Sequence, residues 1–331
     1  MAAPHRGAGI IRVAAVVDGT ERELEGATAL KQLPELLRVP DADVWIDLVD
    51  PSDQQVEQVG AALSLHPLIV EDILEGNQRS KIETTDGVVH IVMFAVEFTD
   101  GQVISTEIDM VLGPGFLLTT HDQAWDARAS HHLRGGVAPI LARGTDHLLW
   151  AICDDIVDRY FPFADHIGDA IDAVQDEVVH KADPEALERL FHLKRKLIEI
   201  RRSVGPVREV FNQLTNREST LIDAEELLYF RDVYDHVIRL TDELDNYREL
   251  AAATLDVYLT QVNNNLSVIM KRLTGVTVIL AGVGAVAGIF GMSEAGPAFQ
   301  GSEGYGFWAV TAVAVAAAGA AVLVLRRIGW V

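Results

Sequence analysis

Apolar and polar positions change rhythm twice along this chain. Up to about residue 145 the apolar residues come in short runs. From about residue 146 they recur every three or four positions, and after residue 272 they become almost continuous. In the first part, residues 10–17 and 44–48 are short β-rich runs. Residues 88–98 and 103–112 flank Asp100-Gly101, a hairpin signal, and Gly113-Pro114-Gly115 turns the chain into 116–120. Ser52 followed three residues later by Gln55 has the form of a capping box and opens a helix through Leu63. The pattern predicts an α/β domain over 1–145, with an antiparallel or mixed sheet and helices packed on it.

Residues 148–180 carry the helical period with an acidic remainder. Asp183-Pro184 places proline at a first helical position, and the helix that follows meets Gly205-Pro206, where a kink or break is expected. Residues 225–292 contain no proline, and their only glycines lie in the apolar part. A single helix there would be about 100 Å long at 1.5 Å per residue. Such a helix cannot bury itself in one small domain, so it implies a bundle or an oligomer around a shared axis. Residues 146–272 therefore read as a helical domain with a long stalk.

Residues 273–292 hold no charge and match the roughly 20 residues needed to cross about 30 Å of hydrocarbon as a helix. A second apolar run occupies 307–325 after a loop at 293–306, and a basic tail follows at 326–331. Lys271 and Arg272 abut the first run, Arg326 and Arg327 follow the second, and the loop has neither Lys nor Arg. The excess of basic residues on the cytoplasmic side of spans then puts both termini and the large domain in the cytoplasm, on an inner-membrane hairpin.

Charge sharpens the partner class. The chain has 27 basic and 49 acidic residues, and charges cancel from residue 273 onward, so the net charge of −22 belongs to the first 272 residues. That balance excludes nucleic acid, whose affinity rests on cationic contacts to phosphate, and favours cations as partners. The single cysteine, Cys153, excludes an intrachain disulfide and fits a reducing compartment; the first 17 residues lack a signal-peptide core.

No Walker loop, HExxH, paired CxxC or nucleophile elbow occurs, so no enzyme is expected. Gly282 to Gly288 superficially suggests a dinucleotide loop, but it lies inside an apolar span; Gly284 and Gly288 form GxxxG, a helix-packing motif in lipid. The eleven histidines are scattered, and His131-His132 reads as surface. Acidic helix faces are ordinarily just solvated. Here the acidic excess sits beside two membrane spans, which points to divalent ions, since Mg2+ and Ca2+ prefer carboxylate and water oxygens.

Several stretches then resemble the CorA magnesium transporters: His66-Pro-Leu-Ile-Val-Glu-Asp-Ile73, Gln78-Arg-Ser-Lys-Ile-Glu83, Tyr-Phe-Arg-Asp-Val-Tyr-Asp-His at 229–236, Leu-Asp-Val-Tyr-Leu at 255–259, and Met-Lys-Arg-Leu-Thr at 270–274. Gly291-Met292 stands where that family's Gly-Met-Asn signature closes the first span, and the resemblance covers roughly 40–331. It implies an α+β cytoplasmic domain, a long helical stalk and two C-terminal transmembrane helices, assembled as a funnel-shaped homopentamer in the lipid bilayer. The first span would line the pore and the second would form an outer ring. Gly291, Met292 and the residue at 293 would form the selectivity ring for hydrated Mg2+, which sheds water reluctantly. Ser267, Met270 and Leu273 match the pore and gate, where hydrophobic narrowing would act by dewetting; the plain alternative for Met270 and Leu273 is helix packing. Asp72 and Asp232 match two carboxylates that bind a regulatory divalent ion between neighbouring subunits, and Glu71, Asp154 and His236 match a nearby second site. A cation there would screen repulsion between acidic subunit faces and hold the pore closed.

The chain departs from the family pattern at its signature. Ser293 replaces the carboxamide with a shorter hydroxyl, Gly282 replaces a commonly seen proline, and Ala281 and Gly284 stand where relatives carry larger or more polar residues. The expectation is passive transport of Mg2+, with Co2+ or Ni2+ as related cargo. A Zn2+ transporter of the same superfamily, with or without proton coupling, and a non-conducting divalent sensor or scaffold are the alternatives.

Overall fold

The computed structural model describes residues 9–76, 78–99, 102–216, 221–291, 305–327 and 329. Their contacts divide into two compact units, 1–173 with 189–252, and 174–188 with 253–331.

The first unit is built on seven strands: β1 (Ile10–Val17), β2 (Thr20–Glu25), β3 (Asp43–Val49), β4 (Lys81–Thr85), β5 (Val88–Thr99), β6 (Gln102–Gly113) and β7 (Phe116–His121). They order as β2-β1-β3-β7-β6-β5-β4, and only β3 with β7 is parallel, so the sheet is mixed. The parallel pair aligns Val44 with Phe116 and Asp47 with Thr119.

One face of the sheet is covered by α1 (Gly26–Leu36), α2 (Asp53–Ala62) and α3 (Pro67–Glu75). Val13 and Ala15 of β1, Ile46 and Leu48 of β3 and Leu118 of β7 bury against Leu33, Val56, Val59, Ile69 and Ile73 of these helices. The Ser52–Gln55 capping box is present in both directions: the serine hydroxyl accepts from the Gln55 N–H, and the Gln55 side chain accepts from the Ser52 N–H. Gly76 ends α3 in the left-handed region at φ 53°, a conformation that suits glycine because it has no Cβ. Alternate residues of the same strands, Trp45, Asp47, Thr119 and His121, form the opposite face and are buried. There α4 (Ala138–Leu141) and α5 (Thr145–Asp158) lie against the sheet.

The helical half differs from the sequence pattern at two points. Residues 148–180 do not form one helix: α5 stops at Asp158 and α6 runs Tyr160–His180. Pro162 has no N–H for the Asp158 carbonyl, so the ladder must be interrupted there. By contrast, α7 runs Pro184–Asn216 straight through Pro206, where a break was one expectation. One missing hydrogen bond is offset by burial of Val204, Val207, Val210 and Phe211 along the same helix.

The proline-free stretch is one helix, α8, Glu226–Gly291, 66 residues long. It passes the length and composition test for a membrane span. The helix α9 occupies Tyr305–Arg327, ending on Arg326 and Arg327.

Candidate cation sites

Two neighbourhoods hold the carboxylates singled out above. The first is at the C-terminal half of α3. Proline at the first helical position and a His66 side chain accepting from the Leu68 N–H start this helix, and its register leaves Glu71 exposed and Asp72 half-buried. The Lys81 ammonium on β4 donates to Asp72 at 2.5 Å, and the Gln78 amide donates to its other oxygen at 3.3 Å. Lys81 also stands 3.5 Å from Glu83. Burial pulls the Lys81 pKa down, but the hydrogen bond and charge of Asp72 outweigh it, so the ammonium is held protonated. His90, which lies with Asp72 and Glu83, is already bonded to Asp109 at 2.9 Å. Within one chain, therefore, Asp72 has a cation partner: a lysine.

The second neighbourhood joins α5 to α8. Asp154 and Asp158 are four residues apart on α5 and share a face, as do Asp232 and His236 on α8. Donor atoms of Asp154, Asp158 and His236 all lie within 4.8 Å of one another. His236 Nδ1 is 3.7 Å from Asp158 and its Nε2 is 3.8 Å from Asp232, beyond hydrogen-bond distance in both cases. Burial first, and the Asp154 charge next, push the Asp158 carboxyl up, against the opposing pull of His236 and His131. Crowded carboxylates of this kind gain most from a bound cation.

Of the residues picked from sequence, Asp154 and His236 come together, and Asp232 borders them through His236. Asp72 is in the other neighbourhood, and Glu71 belongs to neither group. Asp158 was missed, although its four-residue spacing from Asp154 on a helix was a signal for it.

In the second unit, Ser267, Met270 and Leu273 lie on α8. The Ser267 hydroxyl donates to the Asn263 carbonyl, and Met270 and Leu273 are 60% and 58% exposed in the single chain. A Cβ added at Gly282, Gly284 or Gly288 would meet nothing within 4 Å, so the GxxxG surface is uncovered by the described residues of this chain. Gly291 is the last residue of α8; Met292 and Ser293 lie outside the described residues.

Comparison with known proteins gives a consistent picture. The family model described as CorA-like Mg2+ transporter protein matches residues 41–327. The cobalt/magnesium transport protein CorA of Thermotoga maritima is 34% identical over 242 residues, 72% of this chain and 69% of that protein. The putative metal ion transporter YfjQ of Bacillus subtilis is 29% identical over 269 residues, 80% of this chain and 83% of that one. Among solved structures, the CorA magnesium transporter from Methanocaldococcus jannaschii superposes with a TM-score of 0.77, covering 98% of this chain and 99% of that one at 23% identity. At that identity the superposition speaks for the fold alone.

Proposed function

This chain belongs to the CorA-like Mg2+ transporter family, and on that premise we propose that it forms a homopentameric pore for divalent cations in the inner membrane, closed by the same ions bound on its cytoplasmic side. The observation that carries the reading is α8. It begins among the carboxylates and His236, and continues unbroken into an apolar segment whose side chains, Met270 and Leu273 among them, are left largely exposed by the described residues of the chain. An apolar helix left exposed needs lipid, other helices or both. The uncovered glycine surface supports close packing against another copy.

In this reading α8 lines the pore, α9 is the outer span, and both termini are cytoplasmic, in keeping with the placement of Arg326 and Arg327. Hydrated Mg2+ meets Gly291, Met292 and Ser293 at the outer mouth. Ser267, Met270 and Leu273 form the narrow cytoplasmic half, where apolar side chains exclude water when the pore is closed. Inward flow is driven by the membrane potential, about 4.6 kcal/mol for two charges per 100 mV. Asp72 of one subunit and Asp232 of the next hold the regulatory ion, with Asp154, His236 and Glu71 near a second ion, to which Asp158 is now added.

The test is a flux assay in proteoliposomes comparing Mg2+, Co2+, Ni2+ and Zn2+, with and without a proton gradient. Mg2+ flux independent of the gradient is expected; Zn2+ flux that requires it would favour the Zn2+ alternative, and no flux at all would favour the sensor or scaffold. If residue 293 is part of the selectivity ring, Ser293→Asn raises Mg2+ uptake severalfold by restoring a longer carboxamide. Unchanged flux for every ion would remove residue 293 from that role.

Lys81 provides a separate check on the sensor. Its ammonium competes with a divalent ion for Asp72. Lys81→Met is expected to let cytosolic Mg2+ close the pore at a severalfold lower concentration, read from flux against internal Mg2+. Closure at a higher concentration would show that Lys81 holds Asp72 in place for the ion rather than opposing it.

A further inference from the structure

The loop after β7 brings two adjacent histidines onto α5. Asp126 caps a short turn at Ala127–Ala129, and the Ser130 hydroxyl then accepts the His132 backbone N–H at 3.2 Å. This fixes the His131-His132 backbone above the buried side of α5. The His132 ring is held between Trp150, with ring centroids 4.7 Å apart, and His131, at 3.8 Å. His132 Nε2 lies 2.8 Å from Asp154 Oδ2. One imidazole is enough to satisfy that oxygen, yet a second is packed beside it. His131 Nδ1 is 3.6 Å from Asp155, too far for a hydrogen bond. One donor atom from each of His131, His132 and Asp154 falls within 4.8 Å of the others.

We propose that His131, His132 and Asp154 form a binding position for a divalent transition ion, Zn2+ or its Co2+ and Ni2+ analogues. Two imidazoles and one carboxylate are the donor set such ions favour, whereas Mg2+ and Ca2+ favour oxygen alone. Tetrahedral bonds of about 2.0–2.1 Å put ligand atoms roughly 3.3 Å apart. Reaching that spacing requires His132 and Asp154 to part slightly from their hydrogen bond and His131 to close in. Half-exposed His131 can do so by rotating, and the open side leaves a fourth position for water. Asp154 also belongs to the group with Asp158 and His236.

The proposal rests on these side chains and stands whether or not the chain conducts Mg2+. Zn2+ is titrated calorimetrically into the full-length protein in detergent under saturating Mg2+, and Co2+ is followed by its visible absorption. One Zn2+ equivalent per chain that Mg2+ does not displace is expected, with a Co2+ spectrum showing nitrogen ligation. His132→Gln and His131→Gln, each checked for an unchanged melting temperature, should weaken that equivalent at least tenfold. Asp72→Asn should keep it. Retention of the equivalent in both histidine variants, displacement by Mg2+, or its loss in Asp72→Asn would overturn the assignment. Failure of Mg2+ flux in liposomes with this equivalent intact would count against the transport reading alone.

Discussion

Neutralising Asp72 and Asp232 together, as Asp72→Asn with Asp232→Asn, is expected to raise the cytosolic Mg2+ needed for closure at least tenfold. Two unit charges 4 Å apart near a protein surface interact by about 4 kcal/mol. A tenfold change in affinity takes only about 1.4 kcal/mol. The margin matters, because Asp232 is largely exposed and Asp72 already shares its charge with Lys81, so solvent screening and the lysine remove much of the nominal attraction. Mg2+ also keeps much of its water and meets the carboxylates partly through it. The substitutions change charge with little change of shape, so flux through the open pore serves as the control. Flux measured against internal Mg2+ in proteoliposomes reads the shift. A closing concentration identical to that of the unsubstituted protein would rule out these two carboxylates as the sensor.

The second large effect is structural. Asp47→Ala is expected to lower the stability of the sheet-containing unit by about 3–5 kcal/mol, the cost of removing one partner from a buried charged pair. Asp47 is buried on β3, where its Oδ1 accepts from the Thr119 hydroxyl at 2.7 Å and from His121 Nε2 at 3.0 Å. The Thr119 oxygen in turn accepts the Trp45 indole N–H. His121 Nδ1 faces the Asp122 carbonyl at 2.6 Å, so both ring nitrogens meet acceptors and the ring is suited to carry both protons. Burial pulls the His121 pKa down, but its hydrogen bond to Asp47 and the Asp47 charge outweigh that, and the net direction is up. A raised folded-state value stabilises fully below the unfolded value of about 6.5 and is lost as pH rises through the folded value. The unsubstituted unit should therefore lose this contribution as pH rises past the unfolded value and through the folded one, while Asp47→Ala should show a flatter profile over that range. Asp47→Asn, which keeps an acceptor, should cost less than alanine. Denaturation of the full chain in detergent, followed at acidic and alkaline pH, measures both. Equal stability for alanine and aspartate at acidic pH would contradict the pairing.

The strands flanked by glycine turns, the capping box and the long proline-free helix were legible in the sequence because each is set by local chemistry. The omissions have physical causes. β2, Thr20–Glu25, is almost wholly polar and exposed at the sheet edge, so it lacks the alternation that marks a half-buried strand. α1 contains Pro34, which argues against a helix until Ala29, Leu33 and Leu36 are seen buried against the sheet. The split between α5 and α6 was foreshadowed by Pro162, but the strong helical period on both sides masked it. At the site, the motif carrying Lys81 was part of the family resemblance, yet its pairing with Asp72 arises only when β4 is placed beside α3. The His131-His132 pair read as surface for the same reason: its carboxylate partner is 22 residues away on another element.

The start of α8 is tied to α5 and its approach in two places. Glu226 in its first turn accepts from His147 at 2.7 Å and from Arg143 at 3.1 Å, and His236 faces Asp158. Ten residues separate these attachments, about 15 Å along the axis. A rod held at one point can swivel; a second charged contact further along opposes its rolling about its length. The azimuth of this part of α8 is therefore set by ionisable groups together with the burial of Phe230, Val233 and Val237 on the same helix. If Asp158 and His236 take up a cation as proposed, its binding would act on the turn of α8 about its own axis as well as on its position.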